Sequence, residues 1–191
     1  MNSIMNMENI LTFKDRNELR TWFLNISDQF PFCWLYVSIK PKENTLLYLD
    51  VVEEAICFGW IDSVKVSYKE GVFLQRISPR RKKSHWTELN KERARRLIKL
   101  GYMTKKGYET LPDLDSTYLF DEIILNKLEE SNVLDTFKSF PILYQIIRMD
   151  SIIQVKEQKL LFEKRIHKLI SETKLGKMYG SWNDFGRLID Y

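Results

Sequence analysis

A change of hydrophobic period near the middle of the chain restricts the fold more than any other sequence feature. Residues 63–68 and 72–77 are two β-branched and aromatic runs, and residues 69–71, Lys-Glu-Gly, separate them. Two such runs joined by a short, glycine-containing turn are typical of an antiparallel β-hairpin. Pro79 is expected to end the second strand, because proline has no amide hydrogen for the next bond of a sheet. The hairpin lies between segments whose pattern is helical.

Those flanking segments have the apolar spacing of helices. We predict helices from Asp15 to Ile26 and from Asp50 to Phe58, each beginning at a capping aspartate that is followed three residues later by glutamate. Thr87 is expected to cap a third helix that ends near Leu100. From Ser116 onward the pattern is again helical, and it is most regular from Lys156 to Ser171. The predicted fold class is α+β, mostly helical with one antiparallel β-hairpin between helices and a helical C-terminal segment. The aromatic run 32–37 is either a buried helical turn or a strand, and a third strand could extend the hairpin.

The length and composition favour a folded protein with a core. The chain has 191 residues, of which 44% are hydrophobic and 29% are charged, which suits one domain or one domain with an extension. We expect an α+β core in residues 1–110 and a helical C-terminal extension in residues 111–191 that packs on it. No apolar run approaches the roughly 18 residues that a membrane span needs. The first eight residues have neither the basic nor the apolar region of a signal peptide, so a cytoplasmic location without a membrane span is expected.

The two cysteines do not suggest a metal site or a cofactor. Cys33 and Cys57 both lie among apolar neighbours and are expected to be small buried hydrophobic residues. Two cysteines with two distant histidines do not have the spacing of a zinc site. We therefore expect no cofactor and no metal.

The net charge of +4 conceals one strongly basic segment. Residues 71–107 carry 12 Lys+Arg and 2 Asp+Glu, a net charge of +10, whereas residues 1–70 and 108–191 each have a net charge of −3. All twelve cations lie within residues 76–106, the basic block. Such a segment attracts anions, although it could also be an ordinary solvated surface. Within it, residues 80–83 are expected to face outward.

The segment from Phe58 to Asn90 joins a helix end, the hairpin, a basic loop and a new helix start. Loops held between rigid elements are common places for binding residues. The candidate binding residues are Trp60, Asp62, Arg76, Arg80, Ser84, Trp86 and Asn90. We expect Trp60, Asp62, Arg76, Trp86 and Asn90 to face inward. They form either an architectural network or a ligand pocket.

Individual residues of this segment have two interpretations each. Asp62 could pair with Arg76, or with Arg80, and such a pair either stabilises the fold or orients a ligand anion. Asn90 follows Trp86 by one helical turn, so its amide either bonds the backbone of the loop 79–84 or points into a pocket. Ser84 could combine with exposed N–H groups at a helix N-terminus to hold an anion.

Four motifs of the chain together resemble a known protein family. They are Glu53–Asp62, Arg76–Arg80, Ser84–Asn90 and Gly101–Gly107. In order and spacing they look like the YdeI/OmpD-associated family of bacteriocin-protection proteins, over roughly residues 13–110. The helix with Lys156, Glu157 and Arg165 is similar to that family's second segment. The resemblance implies a role in tolerance of antimicrobial peptides or bacteriocins. An outer-membrane porin partner is not expected, because no export signal is visible.

Three functional hypotheses follow. The leading one is a cytoplasmic binding protein of this family type, with a site for a small anion or an acidic protein partner near the hairpin and the basic loop. The second is a nucleic-acid-binding protein that uses the basic block. It is less favoured, because the flanking segments are acidic and no nucleic-acid-binding motif is present. The third is an unrecognised enzyme with a site around Asp62, Arg76 and His85. The sequence does not indicate an oligomeric state.

Overall fold

The computed structural model describes residues 8–191 and places the hairpin inside a larger mixed sheet. The strands are β1 (Ile10–Leu11), β2 (Cys33–Ser38), β3 (Leu46–Leu47), β4 (Trp60–Lys69) and β5 (Val72–Pro79). The order across the sheet is β1-β2-β5-β4, and β3 also pairs with β2. β4 and β5 form the predicted antiparallel hairpin, and β5 ends at Pro79 as expected. The predicted fold with a single hairpin is nevertheless wrong, because the described residues form a five-stranded mixed sheet with eight helices.

The extra strands arise around β2, the aromatic run whose structure the sequence left open. β2 pairs antiparallel with β5 along one edge. Its other edge pairs in parallel with β1 at Trp34–Leu35 and with β3 at Val37–Ser38. Five of its six residues are buried, so the side chains on both faces of β2 are covered and the strand lacks the polar alternation that identifies a half-exposed strand. Strands of two residues, such as β1 and β3, carry no periodic signal at all.

Eight helices complete the described part of the chain. They are α1 (Arg16–Asn25), α2 (Tyr48–Cys57), α3 (Glu88–Lys99), α4 (Lys105–Tyr108), α5 (Glu122–Glu130), α6 (Leu134–Ser139), α7 (Ile142–Ile153) and α8 (Lys159–Lys174). The predicted cap of α1 is confirmed, because the Asp15 carboxylate accepts hydrogen bonds from the N–H groups of Asn17 and Glu18 at 2.8 and 3.0 Å. The predicted cap of α2 is wrong. α2 begins two residues before Asp50, and Leu47 occupies the N-cap position without a side-chain bond.

The chain divides into two compact units. Over the described residues, the first unit contains residues 8–85 and 94–112, and the second contains residues 86–93 and 113–191. The first unit contains the sheet, α1, α2 and α4, and the second unit contains α5 to α8. α3 contributes residues to both units. Among the described residues, no helix has the length and apolarity needed to cross a membrane.

Each unit has its own core. The buried apolar side chains of the first unit include Leu19, Phe23, Leu35, Val37 and Ala55. The core of the second unit is formed by Ile124, Leu128, Phe137, Tyr144, Met149, Ile166 and Leu169. Cys33 and Cys57 are free thiols buried in the first unit, as expected. Burial raises the pKa of each thiol to about 12, so both stay protonated and unreactive near neutral pH.

Candidate functional site

Trp60, at the start of β4, belongs to the core of the first unit. Its side chain is 4% exposed. Its ring contacts Trp22 and Phe23 edge-on, with centroid separations of 5.6 and 5.5 Å. Edge-to-face contacts of this kind add about 0.5–1.5 kcal/mol each beyond the burial of apolar area. Trp60 is therefore an architectural residue and presents no surface to a ligand.

The expected ion pair between Asp62 and Arg76 does not form. Asp62 stands opposite Ile77 in the hairpin register, so its side chain lies on the same face of the sheet as Ile77. Arg76 precedes Ile77 by one residue and therefore points to the opposite face. The Asp62 carboxylate accepts a hydrogen bond from the Tyr48 hydroxyl at 2.7 Å. The Arg76 guanidinium lies over the Phe32 ring at 4.4 Å.

Arg80 was expected to face outward, but it is buried. Its side chain fastens the loop that follows β5, because Nη1 donates to the Ser84 hydroxyl at 3.1 Å and to the His85 carbonyl at 3.2 Å. Its backbone N–H donates to the Gly59 carbonyl at 2.9 Å. Burial lowers the pKa of Arg80 to about 10, although the nearby Asp62 carboxylate opposes this effect. The loop is thus fixed from inside by a guanidinium that remains charged at neutral pH.

The next three residues remain at the surface. Arg81, Lys82 and Lys83 are all exposed, and the Ser84 N–H donates to the Arg81 carbonyl at 3.1 Å. This bond closes a β-turn over Arg81–Ser84, the basic turn. Lys83 has a φ of 64° at its third position, where such a turn ordinarily takes glycine. The basic turn is therefore a short, closed loop that projects three consecutive cations.

Groups of the protein itself already bind the N-terminus of α3. The Thr87 hydroxyl caps the helix as predicted, accepting from the Asn90 N–H at 3.1 Å. The Glu88 N–H donates to the Asp150 carboxylate at 3.0 Å. The protein itself thus supplies an anion at this helix end. The Glu88 N–H is therefore not available to the anion site suggested for this helix end, while the Ser84 hydroxyl accepts a hydrogen bond from Arg80.

Asn90 and Trp86 belong to the second unit. The Asn90 side-chain carbonyl accepts from Nη1 of Arg93 at 2.7 Å, which makes it part of an architectural contact rather than a bond to the loop 79–84. Arg93 in turn forms two bonds with the buried Asp184 carboxylate, at 2.6 and 2.8 Å. Trp86 is buried. Of the five residues predicted to face inward, Trp60 and Trp86 are buried, which confirms the prediction for these two. The other three, Asp62, Arg76 and Asn90, are half-buried.

Part of the charge of the basic block is compensated inside the protein. Among the described residues, at least four of its twelve cations form ion pairs: Arg96 with Glu53 at 3.0 Å, Arg93 with Asp184 at 2.6 Å, Lys91 with Glu88 at 2.7 Å and Lys106 with Asp28 at 2.5 Å. Three of these four carboxylates come from the acidic segments on either side of the block. The uneven distribution of charge along the sequence therefore arises partly because cations of the basic block form ion pairs with carboxylates of the flanking segments. Fewer cations remain to attract a polyanion than the sequence suggests.

A buried charge network that was not predicted from the sequence surrounds two consecutive glutamates of α2. Glu53 and Glu54 are 1% and 0% exposed. Arg16 bonds both carboxylates, at 2.5 Å to Glu53 and 2.6 Å to Glu54. Arg20 adds a bond of 2.9 Å to Glu54, and Arg96 adds one of 3.0 Å to Glu53. Two adjacent glutamates within the apolar run of α2 were the available signal, because charges in such positions are rarely buried without partners.

Within the first unit, the network links α1, α2 and the C-terminal part of α3. Arg16 and Arg20 lie on α1, the glutamates on α2, and Arg96 in the C-terminal part of α3. Burial disfavours the charged form of Arg16, but the two carboxylates overcome this effect and raise its pKa above the ordinary value. The Tyr102 ring lies 5.3 and 5.7 Å from the guanidinium groups of Arg16 and Arg20. All of these contacts hold the helices together, so we assign the network an architectural role.

The enzyme hypothesis placed a site around Asp62, Arg76 and His85. Each has a different environment: Asp62 bonds Tyr48, Arg76 covers Phe32, and His85 is exposed with its carbonyl bonded to Arg80. Among residues 8–191, no group of three or more His, Cys, Asp and Glu side chains is arranged to hold a metal ion. The exposed cations of the basic turn are therefore the candidate binding feature of the predicted segment.

Comparison with known proteins corrects the expected family. A family model described as a domain of unknown function (DUF8412) matches residues 11–110. No curated protein and no solved structure matches the chain. Membership of the YdeI/OmpD-associated family was a wrong prediction, because the family found is a different one. The role in antimicrobial-peptide tolerance rested on that resemblance alone and loses its support. Several of the motif residues behind the resemblance, such as Glu53, Trp60 and Arg80, build the fold of the first unit.

Proposed function

We propose that this chain, which belongs to the family of the domain of unknown function DUF8412, is a binding protein that recognises an acidic protein partner through its basic turn. Arg81, Lys82 and Lys83 supply the contacts with carboxylates of the partner. A cytoplasmic location is part of the same proposal.

The observation that supports this proposal is the way in which the basic turn is fixed. The buried Arg80 side chain fixes the loop through its hydrogen bonds to Ser84 and His85. The three cations that follow it are exposed. A fixed loop loses little conformational entropy when a partner binds, so more of the electrostatic attraction contributes to affinity.

Lys83 adds a second indication from backbone strain. A residue with a side chain at a φ of 64° costs roughly 1 kcal/mol relative to the right-handed region. Glycine would avoid this cost, but it would also remove a cation from the surface. Backbone strain of this kind tends to occur at functional positions, and here it keeps three cations consecutive.

An acidic protein suits this surface better than a small anion or a nucleic acid. The Glu88 N–H at the start of α3 already donates to the Asp150 carboxylate, so this helix end is less available to a small anion. On duplex DNA, three exposed cations would neutralise about three phosphates and release about three counterions. Typical DNA-binding proteins contact about 6–10 phosphates, so their affinity depends more steeply on salt. The internal ion pairs of the basic block reduce its attraction for a polyanion further.

Fluorescence anisotropy with a labelled poly-glutamate peptide tests the proposal at low and at near-physiological salt. The triple variant Arg81→Gln, Lys82→Gln, Lys83→Gln should weaken binding at least about tenfold. Its matched control neutralises three exposed lysines elsewhere in the first unit, Lys14→Gln, Lys40→Gln and Lys105→Gln, and should change binding less than about twofold. Equal losses in the two triple variants would mean that only net charge matters, and the proposal would fail.

A labelled DNA duplex of mixed sequence provides the comparison with nucleic acid. We expect the duplex to bind more weakly than the acidic peptide at near-physiological salt, because few phosphates can be contacted at once. Tighter binding of the duplex, lost in the basic-turn variant but not in the control, would replace the acidic partner by a nucleic acid.

A further inference from the structure

Two tyrosines face each other on the sheet near the turn of the hairpin, far along the strands from the basic turn. Tyr36 lies on β2 and Tyr68 on β4, with β5 between these strands. Their ring centroids are 4.8 Å apart and the rings are tilted by 60°. Tyr68 is 54% exposed and Tyr36 is half-buried. Exposed aromatic side chains that contact each other are a feature of binding surfaces, since an aromatic ring in water loses the benefit of burial.

An irregularity of the sheet brings the rings together. Ser67 pairs with Phe73 and Lys69 with Val72, which leaves Tyr68 as an extra residue between two paired positions. Such a β-bulge bends the strand and re-aims the side chain of the extra residue. The bulge therefore accounts for a ring on β4 that reaches a ring two strands away.

The tyrosines line one side of an open cleft of about 480 Å³. Lys69 lies beside Tyr68, with Nζ 5.7 Å from the ring centroid. Lys42 lines the cleft from a neighbouring turn, in which the Thr45 N–H donates to the Lys42 carbonyl at 3.3 Å. The volume lies within the roughly 300–1,000 Å³ of sites for small ligands. The cleft thus combines stacking surfaces with two exposed cations.

We propose that this cleft binds a small ligand that joins a planar aromatic ring to an anionic group, with a nucleoside monophosphate as the representative class. The ring stacks on Tyr68 and Tyr36, and the phosphate is held by Lys69 and Lys42. Every nucleobase has an aromatic face that can stack on a tyrosine, and lysine binds phosphate as a point charge.

The charge of the cleft restricts the ligand further. Glu43 also lines the cleft, so the two lysines and this glutamate together contribute a single net positive charge. That balance suits one phosphate group better than three. A neutral sugar would stack on the tyrosines but would leave the lysines without a role.

Isothermal titration calorimetry with the whole chain tests the proposal through three probes at millimolar concentration. AMP carries both groups, adenosine carries the ring without the phosphate, and ribose 5-phosphate carries the phosphate without the ring. We expect AMP to bind at least about tenfold more tightly than either fragment, because stacking and the ion contact both contribute. Equal affinity for adenosine would overturn the anionic part, equal affinity for ribose 5-phosphate would overturn the stacking part, and no binding of AMP would overturn the proposal as a whole.

Variants locate the binding within the cleft. Tyr68→Ala should weaken AMP binding about tenfold, since a stacking ring is lost, and Lys69→Gln should weaken AMP binding without changing the affinity for adenosine. The matched controls Tyr108→Ala and Lys105→Gln change exposed residues of the first unit that lie outside the cleft. AMP binding that survives both cleft variants, or that falls equally in the controls, would overturn the assignment.

The site is independent of the proposed acidic partner. Binding of poly-glutamate should be unchanged in Tyr68→Ala, and binding of AMP should be unchanged in the basic-turn triple variant. Circular dichroism of each variant confirms that it is folded. A loss of AMP binding in the triple variant would contradict a separate site for the aromatic anion.

Discussion

Neutralising Glu54 should destabilise the first unit more than any conservative change at its surface. The Glu54 carboxylate is fully buried and accepts two bonds, from Nε of Arg16 at 2.6 Å and from Nη1 of Arg20 at 2.9 Å. In Glu54→Gln the shape of the side chain is retained while its charge is removed. One oxygen becomes an NH₂ group that faces a guanidinium donor. Both arginines then lose their charge-assisted partner at this position.

The magnitude follows from these two bonds. A hydrogen bond to a charged group contributes about 1.5–3 kcal/mol, and breaking a buried ion pair costs about 3–5 kcal/mol. The side chains of Arg16 and Arg20 are 26% and 28% exposed, so the freed guanidinium groups regain part of their hydration. We therefore expect a loss near the lower limit, about 3 kcal/mol in the free energy of unfolding. For a chain of this length, that corresponds to a fall in Tm of roughly 6–12 °C.

Urea denaturation followed by tryptophan fluorescence measures this loss. Three of the five tryptophans, Trp22, Trp34 and Trp60, belong to the same unit as the network. The matched control is Glu109→Gln, which removes the same charge from an exposed position of that unit. The control should change the free energy of unfolding by less than about 0.5 kcal/mol.

Two results would refute this reasoning. A loss in Glu54→Gln that is no larger than the loss in Glu109→Gln would mean that the buried carboxylate contributes no net stabilisation. The double variant Glu54→Gln, Arg20→Met provides the second check. Its loss should be smaller than the sum of the two single losses by about 1 kcal/mol, because the residues share one interaction. Strict additivity would show that the two side chains are not coupled.

Three further perturbations have defined outcomes. Gly107→Ala should destabilise the first unit by about 3 kcal/mol, because the added Cβ would lie 2.3 Å from the Cys57 carbonyl oxygen; thermal unfolding measures this. The free energy of unfolding should fall as the pH rises above about 9, because the unfolded thiols of Cys33 and Cys57 release their protons there while the folded thiols keep theirs to a pKa of about 12. Each thiol contributes up to about 1.4 kcal/mol per pH unit, and urea titrations between pH 8 and roughly 10.5 measure the slope. Asp184→Asn should destabilise the second unit by about 3 kcal/mol, since Arg93 then loses a buried carboxylate held by two bonds; urea denaturation measures the loss.

Each of these predictions has its own control. Gly101→Ala tests the effect of an added methyl group where no atom lies within 4 Å of the new Cβ, and it should cost only the strain of its positive φ. Cys33→Ala should reduce the slope above pH 9, and an unchanged slope would assign the pH dependence to other groups. Asp190→Asn removes an exposed carboxylate near the same end of the chain. A loss in Asp184→Asn equal to the loss in this control would mean that the buried pair contributes nothing.

The basic turn gives a last prediction in which stability and binding move in opposite directions. Lys83→Gly relieves the strain of a side chain at positive φ and should raise the free energy of unfolding by about 0.5–1 kcal/mol. The same variant removes one of three exposed cations and should weaken the binding of poly-glutamate. Chemical denaturation and fluorescence anisotropy measure the two effects. A variant that is both less stable and equally tight in binding would contradict the account of this turn.

The sequence was sufficient to predict those parts of the structure that depend only on neighbouring residues. Asp15 and Thr87 cap their helices because a side-chain oxygen reaches N–H groups only two or three residues away. The hairpin formed where two β-type runs are joined by a short turn, and Pro79 ended its second strand. α2 departed from this pattern, because it begins at Tyr48, so that Asp50 lies in its first turn and its carboxylate is 3.7 Å from Arg16.

Long-range pairing lay beyond such signals. The strand β2 has no alternation to identify it, because side chains on both of its faces are buried. The face of Arg76 depended on which residue stands opposite Asp62, and a hairpin register is set by pairing across strands rather than by composition. The cleft beside Tyr36 and Tyr68 required a bulge whose position no single-strand pattern reveals.

The sequence by itself determined that the chain has a core, a hairpin between helices and a concentration of cations in residues 76–106, because these depend on composition and on spacing along a few residues. The tertiary structure alone decided what those cations do. It brings Arg96 to Glu53 and Arg93 to Asp184, pairs separated by 43 and 91 residues, and it turns Arg80 inward. The physical reason is that the strength of an ion pair depends on the distance between the charges and on their burial in the folded state. Neither quantity can be predicted from the order of residues along the chain.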